Sequence, residues 1–160
     1  MRLVFLHPDG EGGAAVKFSV ATVEDLWHLH NFIVEGDYVK TKTVRKIVKE
    51  TATGSGTSEK RTLTLNILVQ SIDFDPLGEL RLSGINKSES DHVRMNAHHT
   101  LSVRVDDGPR DVTIAKTQWD SLCDDRVKEA CNQEAKADTV GVVMDYGIAW
   151  LCLITPTLMV

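Results

Sequence analysis

Residues Arg61–Phe74, "RTLTLNILVQSIDF", carry the clearest secondary-structure pattern in the chain. Apolar residues alternate with polar ones along this stretch: Leu63, Leu65, Ile67 and Val69 against Thr62, Thr64, Asn66 and Gln70. Strict alternation is typical of a β-strand with one face on a core and the other in water. The stretch therefore predicts a half-buried antiparallel strand.

Shorter segments on both sides have the same character and are separated by Gly, Pro and Asp turn signals. We predict further strands at 1–6, 15–20, 37–50, 79–85, 99–105 and 111–116. An early helix is predicted over 23–33, capped by Thr22 and ended by Gly36. Its predicted buried face comprises Val23, Leu26, Trp27, His30 and Ile33 or Val34. Many short strands with flanking helices predict a mainly β fold, a small, strongly bent antiparallel β-barrel.

The pattern of apolar residues changes twice after residue 116. Helical periodicity over 117–135 predicts a helix that buries Trp119, Leu122, Val127 and Ala130. Residues 138–160 then predict two very apolar strands around the turn at Asp145–Gly147. We predict an N-terminal domain over residues 1–136, and the first strands of a truncated second α/β domain over 137–160.

Composition excludes several classes of protein. The chain has 160 residues, of which 42% are hydrophobic and 26% charged, which is typical of a globular domain. No apolar run approaches the roughly 18 residues of a membrane span, and the N-terminal apolar run is too short for a secretory signal. The three cysteines predict neither a disulfide framework nor a zinc site. We therefore expect a cytoplasmic protein without membrane contact.

Charge is distributed unevenly along the chain. Residues 38–61 carry seven cationic side chains against two acidic ones, a net of +5, while the rest carries eleven against 21, a net of −10. A local positive field on an acidic body suits a protein that meets a polyanion at one place. A solvated strand face whose lysines only keep a hairpin soluble is the alternative.

The loop between the two strands of this basic segment has small polar residues. Hydroxyl donors, exposed glycine N–H groups and flanking cations suit contacts to phosphate and ribose oxygens. No aromatic residue lies in the loop, so base stacking on it is not expected, and RNA contacts would be independent of sequence.

No catalytic, metal-binding or cofactor motif is evident. The histidine pairs lack the spacing of metal ligands, and the chain has neither a phosphate loop nor a dinucleotide fingerprint. Glu24 and Asp25 are adjacent acids, and helix capping explains them better than an Mg²⁺ site does. An Mg²⁺-dependent endoribonuclease that uses Glu24 and Asp25 remains the alternative function, and a protein-interaction module that docks on an acidic partner is a third.

Seven stretches together resemble one known family. They are "LWHLHNFIVEGDYV", "TVRKIVKETATGS", "RTLTLNILVQSIDFD", "LRLSGIN", "AHHTLSV", "IAKTQWDS" and "VVMDYGIAWLCLITP". In order and spacing they are similar to the N-terminal part of the Pelota family, the ribosome-rescue paralogues of the eukaryotic class-one release factor. The resemblance implies an Sm-like β-barrel, followed from about Asp138 by a middle domain.

The resemblance also implies a function without catalysis. Pelota-like proteins enter the empty A site of stalled ribosomes and support subunit dissociation and no-go and non-stop mRNA decay. Their implied partners are an elongation-factor-1A-related translational GTPase and an ATP-binding-cassette recycling factor. The loop is expected to reach the decoding centre, its rRNA and the mRNA channel. The expected RNA-binding residues are Arg45, Lys46, Lys49, Glu50, Thr51, Thr53, Gly54, Ser55, Gly56, Thr57, Ser58, Lys60 and Arg61.

Two release-factor motifs are not matched. The stop-codon motif Asn-Ile-Lys-Ser differs in order from Ile85-Asn86-Lys87-Ser88, which we predict to lie in a turn. The Gly-Gly-Gln motif of peptide release is not matched either, because Ala14 follows Gly12-Gly13. Hydrolysis of peptidyl-tRNA is therefore not expected.

Overall fold

The computed structural model describes residues 1–49, 57–89, 93–132 and 139–154. These residues contain nine strands and two α-helices, besides one 3-10 turn at Val105–Asp107. In chain order they are β1 (Arg2–Pro8), β2 (Ala14–Val20), α1 (Val23–Phe32), β3 (Tyr38–Lys49), β4 (Thr57–Asp75), β5 (Glu79–Asn86), β6 (His98–Arg104), β7 (Arg110–Lys116), α2 (Ser121–Cys131), β8 (Thr139–Asp145) and β9 (Ile148–Ile154).

Seven strands form one antiparallel sheet in the order β1-β2-β7-β3-β4-β5-β6. Strand β4 is 19 residues long and pairs with β3 over its first part and with β5 over its second. Between Val69 and Ser71 the register shifts, which leaves Gln70 as a bulge that bends the strand. The sheet curls far enough for β6 to contact β3. The predicted bent antiparallel architecture is confirmed.

Gly84 allows β5 to approach β4 beside this bulge. It is the register partner of Val69, and a Cβ atom at Gly84 would collide with the carbonyl oxygen of Leu68. The sequence "LSGIN" therefore needs a glycine at this position for steric reasons.

The core lies on the concave side of the sheet and is closed by the helices. Its fully buried side chains alternate along the strands, and they include Val16, Phe18, Val39, Leu65, Ile67, Val69, Leu80, Leu82, Leu101 and Ile114. Phe32 of α1 packs edge-on against Phe18, with ring centroids 5.8 Å apart. The alternation that predicted the strands therefore also predicted which face is buried.

Helix α1 begins as predicted, and Leu26 and Ile33 of its predicted face are buried, but the face is centred differently. Thr22 caps it, and its Oγ1 accepts from the N–H of Asp25 at 3.2 Å. Leu29 and Phe32 are buried, whereas Trp27, expected in the core, is 38% exposed. Helical spacing left two overlapping apolar faces, and packing against the sheet selects the one with Leu29 and Phe32.

The predicted end of α1 and the predicted length of α2 also need correction. Helix α1 ends at Phe32, and Gly36 lies in the following turn with φ 94°, where its N–H donates to the Val69 carbonyl at 2.9 Å. Helix α2 is shorter than predicted. It is capped by Asp120, whose side chain accepts from the N–H of Cys123.

Helix α2 buries Val127 and Ala130, as predicted, but Leu122 is 64% exposed. Trp119, which precedes the helix, packs against the core there. Its ring lies 5.9 Å from that of Phe32, and its indole N–H donates to Asp124 at 2.8 Å. Leu122 is therefore not needed to cover that part of the core.

A buried ion pair fixes the start of β3. The Lys116 ammonium lies 2.5 Å from Asp37 Oδ2, with side-chain exposures of 6% and 7%. The same oxygen accepts from the N–H of Val34 at 2.9 Å, and the ammonium lies 4.8 Å from the ring centroid of Phe32. Several elements are thus joined at the point where β3 begins.

Strands β8 and β9 form a separate two-stranded sheet. Many of its large apolar side chains are exposed: Val140, Val142, Val143, Met144, Tyr146, Ile148, Trp150 and Leu151. The apolar hairpin predicted from the sequence is confirmed. The proposed boundary between residues 136 and 137 lies outside the described residues.

Candidate nucleic-acid interface

Strands β3 and β4 extend beyond the rest of the sheet. Their register runs without a shift from Tyr38 opposite Leu68 to Lys49 opposite Thr57. Strand β7 pairs with β3 only over 38–41, and β5 pairs with β4 only from Ile67 onward. Residues 42–49 and 57–64, here called the hairpin arm, therefore pair only with each other within the described chain. Their eight residue pairs span about 25 Å.

The expected RNA-binding residues fall into two groups. Those on the described backbone of the arm are Arg45, Lys46 and Lys49 in β3 and Thr57, Ser58, Lys60 and Arg61 in β4. Those that lie outside the described residues are Glu50, Thr51, Thr53, Gly54, Ser55 and Gly56. The structure thus brings the first group together on one hairpin.

Like charges occupy opposite positions in the arm. Arg45 is the register partner of Arg61, and Lys46 is the partner of Lys60. Like charges at opposite positions destabilise an antiparallel pair. The pattern is costly for a hairpin in water alone, and a bound polyanion would relieve that cost.

The arm is anchored to the body on both sides of its base. On one side the Thr41 hydroxyl donates to the Asp111 carbonyl at 2.9 Å. On the other side the Lys87 N–H donates to the Asn66 carbonyl at 2.7 Å, and the Asn66 N–H donates to Ser88 Oγ at 3.3 Å. These bonds fix the direction in which the arm leaves the sheet.

The buried Asn86 side chain organises the turn that makes the second of these anchors. Its amide nitrogen donates to the carbonyls of Ser88 and Arg94 at 2.9 and 3.2 Å, and its oxygen accepts from the Ser88 N–H at 3.1 Å. The "INKS" segment is therefore a structural support beside the arm. The turn predicted for it needs correction, because Ile85 and Asn86 are the last residues of β5 and only Lys87 and Ser88 follow the strand.

The predicted site begins at Arg45 and so omits two cations at the base of the arm. Lys40 and Lys42 of β3 are exposed. Among the described residues neither ammonium has an ion-pair or hydrogen-bond partner. The sequence signal that includes them is the net positive charge of residues 38–61.

The two acids of the alternative nuclease site have structural contacts. Asp25 Oδ1 pairs with the Met1 ammonium, and Oδ2 accepts from the N–H groups of Ala21 and Thr22 at 2.9 and 3.2 Å. Burial raises the pKa of Asp25, but these bonds outweigh it and leave the pKa below its usual value of 3.8. Glu24 lies 3.8 Å from His28. Both oxygens of Asp25 are thus occupied by protein groups.

Neither a metal site nor a membrane-spanning helix is present among the described residues. No cluster of three or more His, Cys, Asp or Glu side chains there could hold a metal ion. No helix in the same part of the chain is both long enough and apolar enough to cross a membrane.

Comparison with known proteins gives one consistent result. The family described as "Pelota N-terminal domain" matches residues 1–131. The pelota homologue of Xenopus laevis is 37% identical over 159 residues, which cover 99% of this chain and 41% of that protein. Pelota of Drosophila melanogaster is 43% identical over 136 residues, which cover 84% of this chain and 34% of that protein. The chain thus spans about two fifths of the length of such relatives.

Solved structures agree with the sequence matches. S. cerevisiae Dom34, a translation termination-like factor involved in RNA quality control pathways and interacting with Hbs1, superposes with a TM-score of 0.66 at 25% identity, covering 98% of this chain and 41% of Dom34. A model of ribosome-bound archaeal Pelota and ABCE1 matches with a TM-score of 0.63 at 27% identity, covering 97% and 43% of the two chains. The chain belongs to the Pelota N-terminal domain family.

Proposed function

We propose that this chain is the RNA-contacting part of a ribosome-rescue factor. It would recognise stalled ribosomes at the empty A site through codon-independent contacts, and so support subunit dissociation and no-go and non-stop mRNA decay. The observation that carries this proposal is the hairpin arm, which stands out from an acidic body and has cations at consecutive opposite positions. Such a projection suits a narrow, negatively charged site such as an RNA channel.

The related proteins support the same setting. Dom34 is described as interacting with Hbs1, and archaeal Pelota has been placed on the ribosome with ABCE1. We propose corresponding partners here: an elongation-factor-1A-related GTPase and an ATP-binding-cassette recycling factor. We also propose a cytoplasmic location, where these partners act, and a binding role without catalysis.

We further propose that residues 137–160 open a second α/β domain. Hairpins of an independent antiparallel sheet expose one polar face, whereas β8 and β9 have apolar residues on both faces. Strands of this kind are typical of a sheet covered by helices on both sides. Limited proteolysis of a longer chain should then protect this hairpin, and rapid cleavage within it would contradict the assignment.

Ribosome binding by an arm variant tests the main proposal. Replacing Lys49, Lys60 and Arg61 with Ala should weaken co-sedimentation with stalled ribosomes and reduce its dependence on salt, because fewer counterions are released on binding. The control is Lys128→Ala, which removes an exposed cation from α2, outside the hairpin arm. Equal binding by the two variants across a salt series would overturn the role of the arm.

A further inference from the structure

A cleft lies at the base of the hairpin arm, where β3 and β7 separate. Their pairing ends at Thr41 opposite Val112, and beyond it the strands diverge around a cavity of about 320 Å³. The cavity is lined by Lys42, Val44, Thr62, Pro109, Arg110 and Asp111. None of the residues expected from the sequence to bind RNA lies in this lining.

Arg110 connects the two sides of the cleft. Its Nη1 lies 3.4 Å from the Lys42 carbonyl and 3.2 Å from the Ser102 carbonyl, and its Nη2 donates to Asp107 at 2.7 Å. The side chain is only 16% exposed. A guanidinium held in this way has a fixed position at the cleft, and Asp107 balances its charge.

The acids near the cleft are already paired, whereas two lysines are not. Asp111 lies 2.7 Å from the Lys17 ammonium, and Asp107 pairs with Arg110. Lys42 and Lys40, on the same exposed face of β3, have no side-chain partner among the described residues. The uncompensated charge at the base of the arm is therefore positive.

The neighbouring residues on this face are small and polar. Lys42 lies opposite Thr64, and Lys40 lies opposite Asn66 in β4 and Thr113 in β7. Hydroxyl and amide groups beside unpaired ammonium groups are the usual contacts to phosphate and ribose. An acidic peptide would pair with the lysines but would make less use of the neighbouring Thr and Asn groups, which suit ribose and phosphate oxygens.

We propose that the cleft at Arg110 and the adjoining Lys40–Lys42 face of β3 bind the sugar–phosphate backbone of an RNA strand at the base of the arm. This contact is separate from those of residues 45–49 and 57–61, here called the outer arm, and continues them onto the body. The inference rests on the proposed function, because it extends the same RNA-binding surface.

The test measures RNA binding by the 160-residue chain with fluorescein-labelled single-stranded oligouridylate, by fluorescence polarisation over a KCl series. The double variant Lys40→Gln/Lys42→Gln should bind roughly threefold to tenfold more weakly, and its salt slope should fall by about 0.7 for each phosphate that is no longer neutralised. The control is Lys128→Gln, which removes an exposed cation from α2 that lies 3.6 Å from Asp125; it should bind as the wild type does.

A parallel variant of the outer arm, Lys46→Gln/Lys60→Gln, separates this inference from the proposed function. If only the outer-arm variant binds more weakly, the site at the base is wrong and the proposed function stands. If neither variant differs from Lys128→Gln, the site at the base of the arm and the proposed RNA-binding function of the arm are both wrong. Labelled oligoglutamate is the second probe, and loss of its binding with unchanged RNA binding in Lys40→Gln/Lys42→Gln would assign the face to an acidic protein segment and overturn the inference.

Discussion

The inner and outer halves of the β3–β4 hairpin have the same backbone pairing but different surroundings. In the inner half, Val39, Leu65 and Ile67 have no exposed surface and face the core. In the hairpin arm, Val44 is 55% exposed, and like charges occupy opposite positions. The inner half is stabilised by packing throughout. In the arm, packing against the body is seen at Thr43 and Leu63 near its base, and the pairing of the two strands contributes the rest. One continuous hairpin thus forms part of the core at its inner half and projects from the body at its outer half, because the core covers the inner half and only the base of the arm.

The largest effect is expected where the inner half begins. Asp37→Ala should lower the free energy of unfolding by about 3 to 5 kcal/mol, because it leaves the buried Lys116 ammonium unpaired. The measurement is urea denaturation followed by circular dichroism. Asp37→Ala/Lys116→Met should recover part of the loss, and a double variant as unstable as the single one would show that the ion pair is not the cause.

A matched pair of truncations tests the contrast itself. Leu65→Ala should cost about 3 kcal/mol, because it opens a cavity in the core. Val44→Ala removes a similar apolar group from the arm and should change stability by less than about 0.5 kcal/mol, since the side chain is already largely hydrated. Equal costs in denaturant unfolding would mean that the arm is packed against other parts of the molecule.

Opposite charges are paired beside the C-terminal end of β4, whereas like charges are opposed in the arm. Glu79, the register partner of Asp75, accepts from Arg81, Ser102 and Arg104, and these bonds lower its pKa from 4.5 to about 2. Since the folded pKa is the lower one, this contribution to stability is complete above about pH 4.5 and is lost as the pH falls towards 2. Glu79→Gln should remove that part of the acid-side slope of unfolding free energy. An unchanged slope would contradict the assignment.

The smallest change in stability is expected in the arm. Lys46→Ala/Lys60→Ala removes one like-charge pair and should leave the unfolding free energy unchanged or raise it by a few tenths of a kcal/mol. The same variant should bind RNA more weakly and with a smaller salt slope. Thermal unfolding and polarisation measured on one sample check both results, and a loss of stability would show that the pair supports the fold.

Local patterns predicted the strands and the helix cap well. Alternation along "RTLTLNILVQSIDF" identified the buried face of β4, and Thr22 is the N-cap expected from its side-chain chemistry. The prediction failed where two solutions were locally equivalent. Trp27 and Leu29 both fit an apolar helical face, and only packing against the sheet selected Leu29. Trp119 and Leu122 were both predicted to be buried, and of the two only Trp119 packs against the core.

The candidate site was only partly predictable for a related reason. The charge count located the basic segment, but it could not show which cations lie at the base of the arm. Lys42 and Arg110 become neighbours because β7 pairs with β3 and then diverges from it. No local signal in the sequence reports that separation.

The sequence by itself determined the strand pattern, the separation of a basic segment from an acidic remainder, and the resemblance to the Pelota family, because each depends on residue type and spacing. The tertiary structure alone decided where the hairpin leaves the body and which groups anchor it. The pairing of Lys116 with Asp37, 79 residues apart, and the cleft beside Lys42 arise from contacts between strands that are distant in sequence. Such contacts depend on how the whole sheet closes, and that is a property of the folded chain.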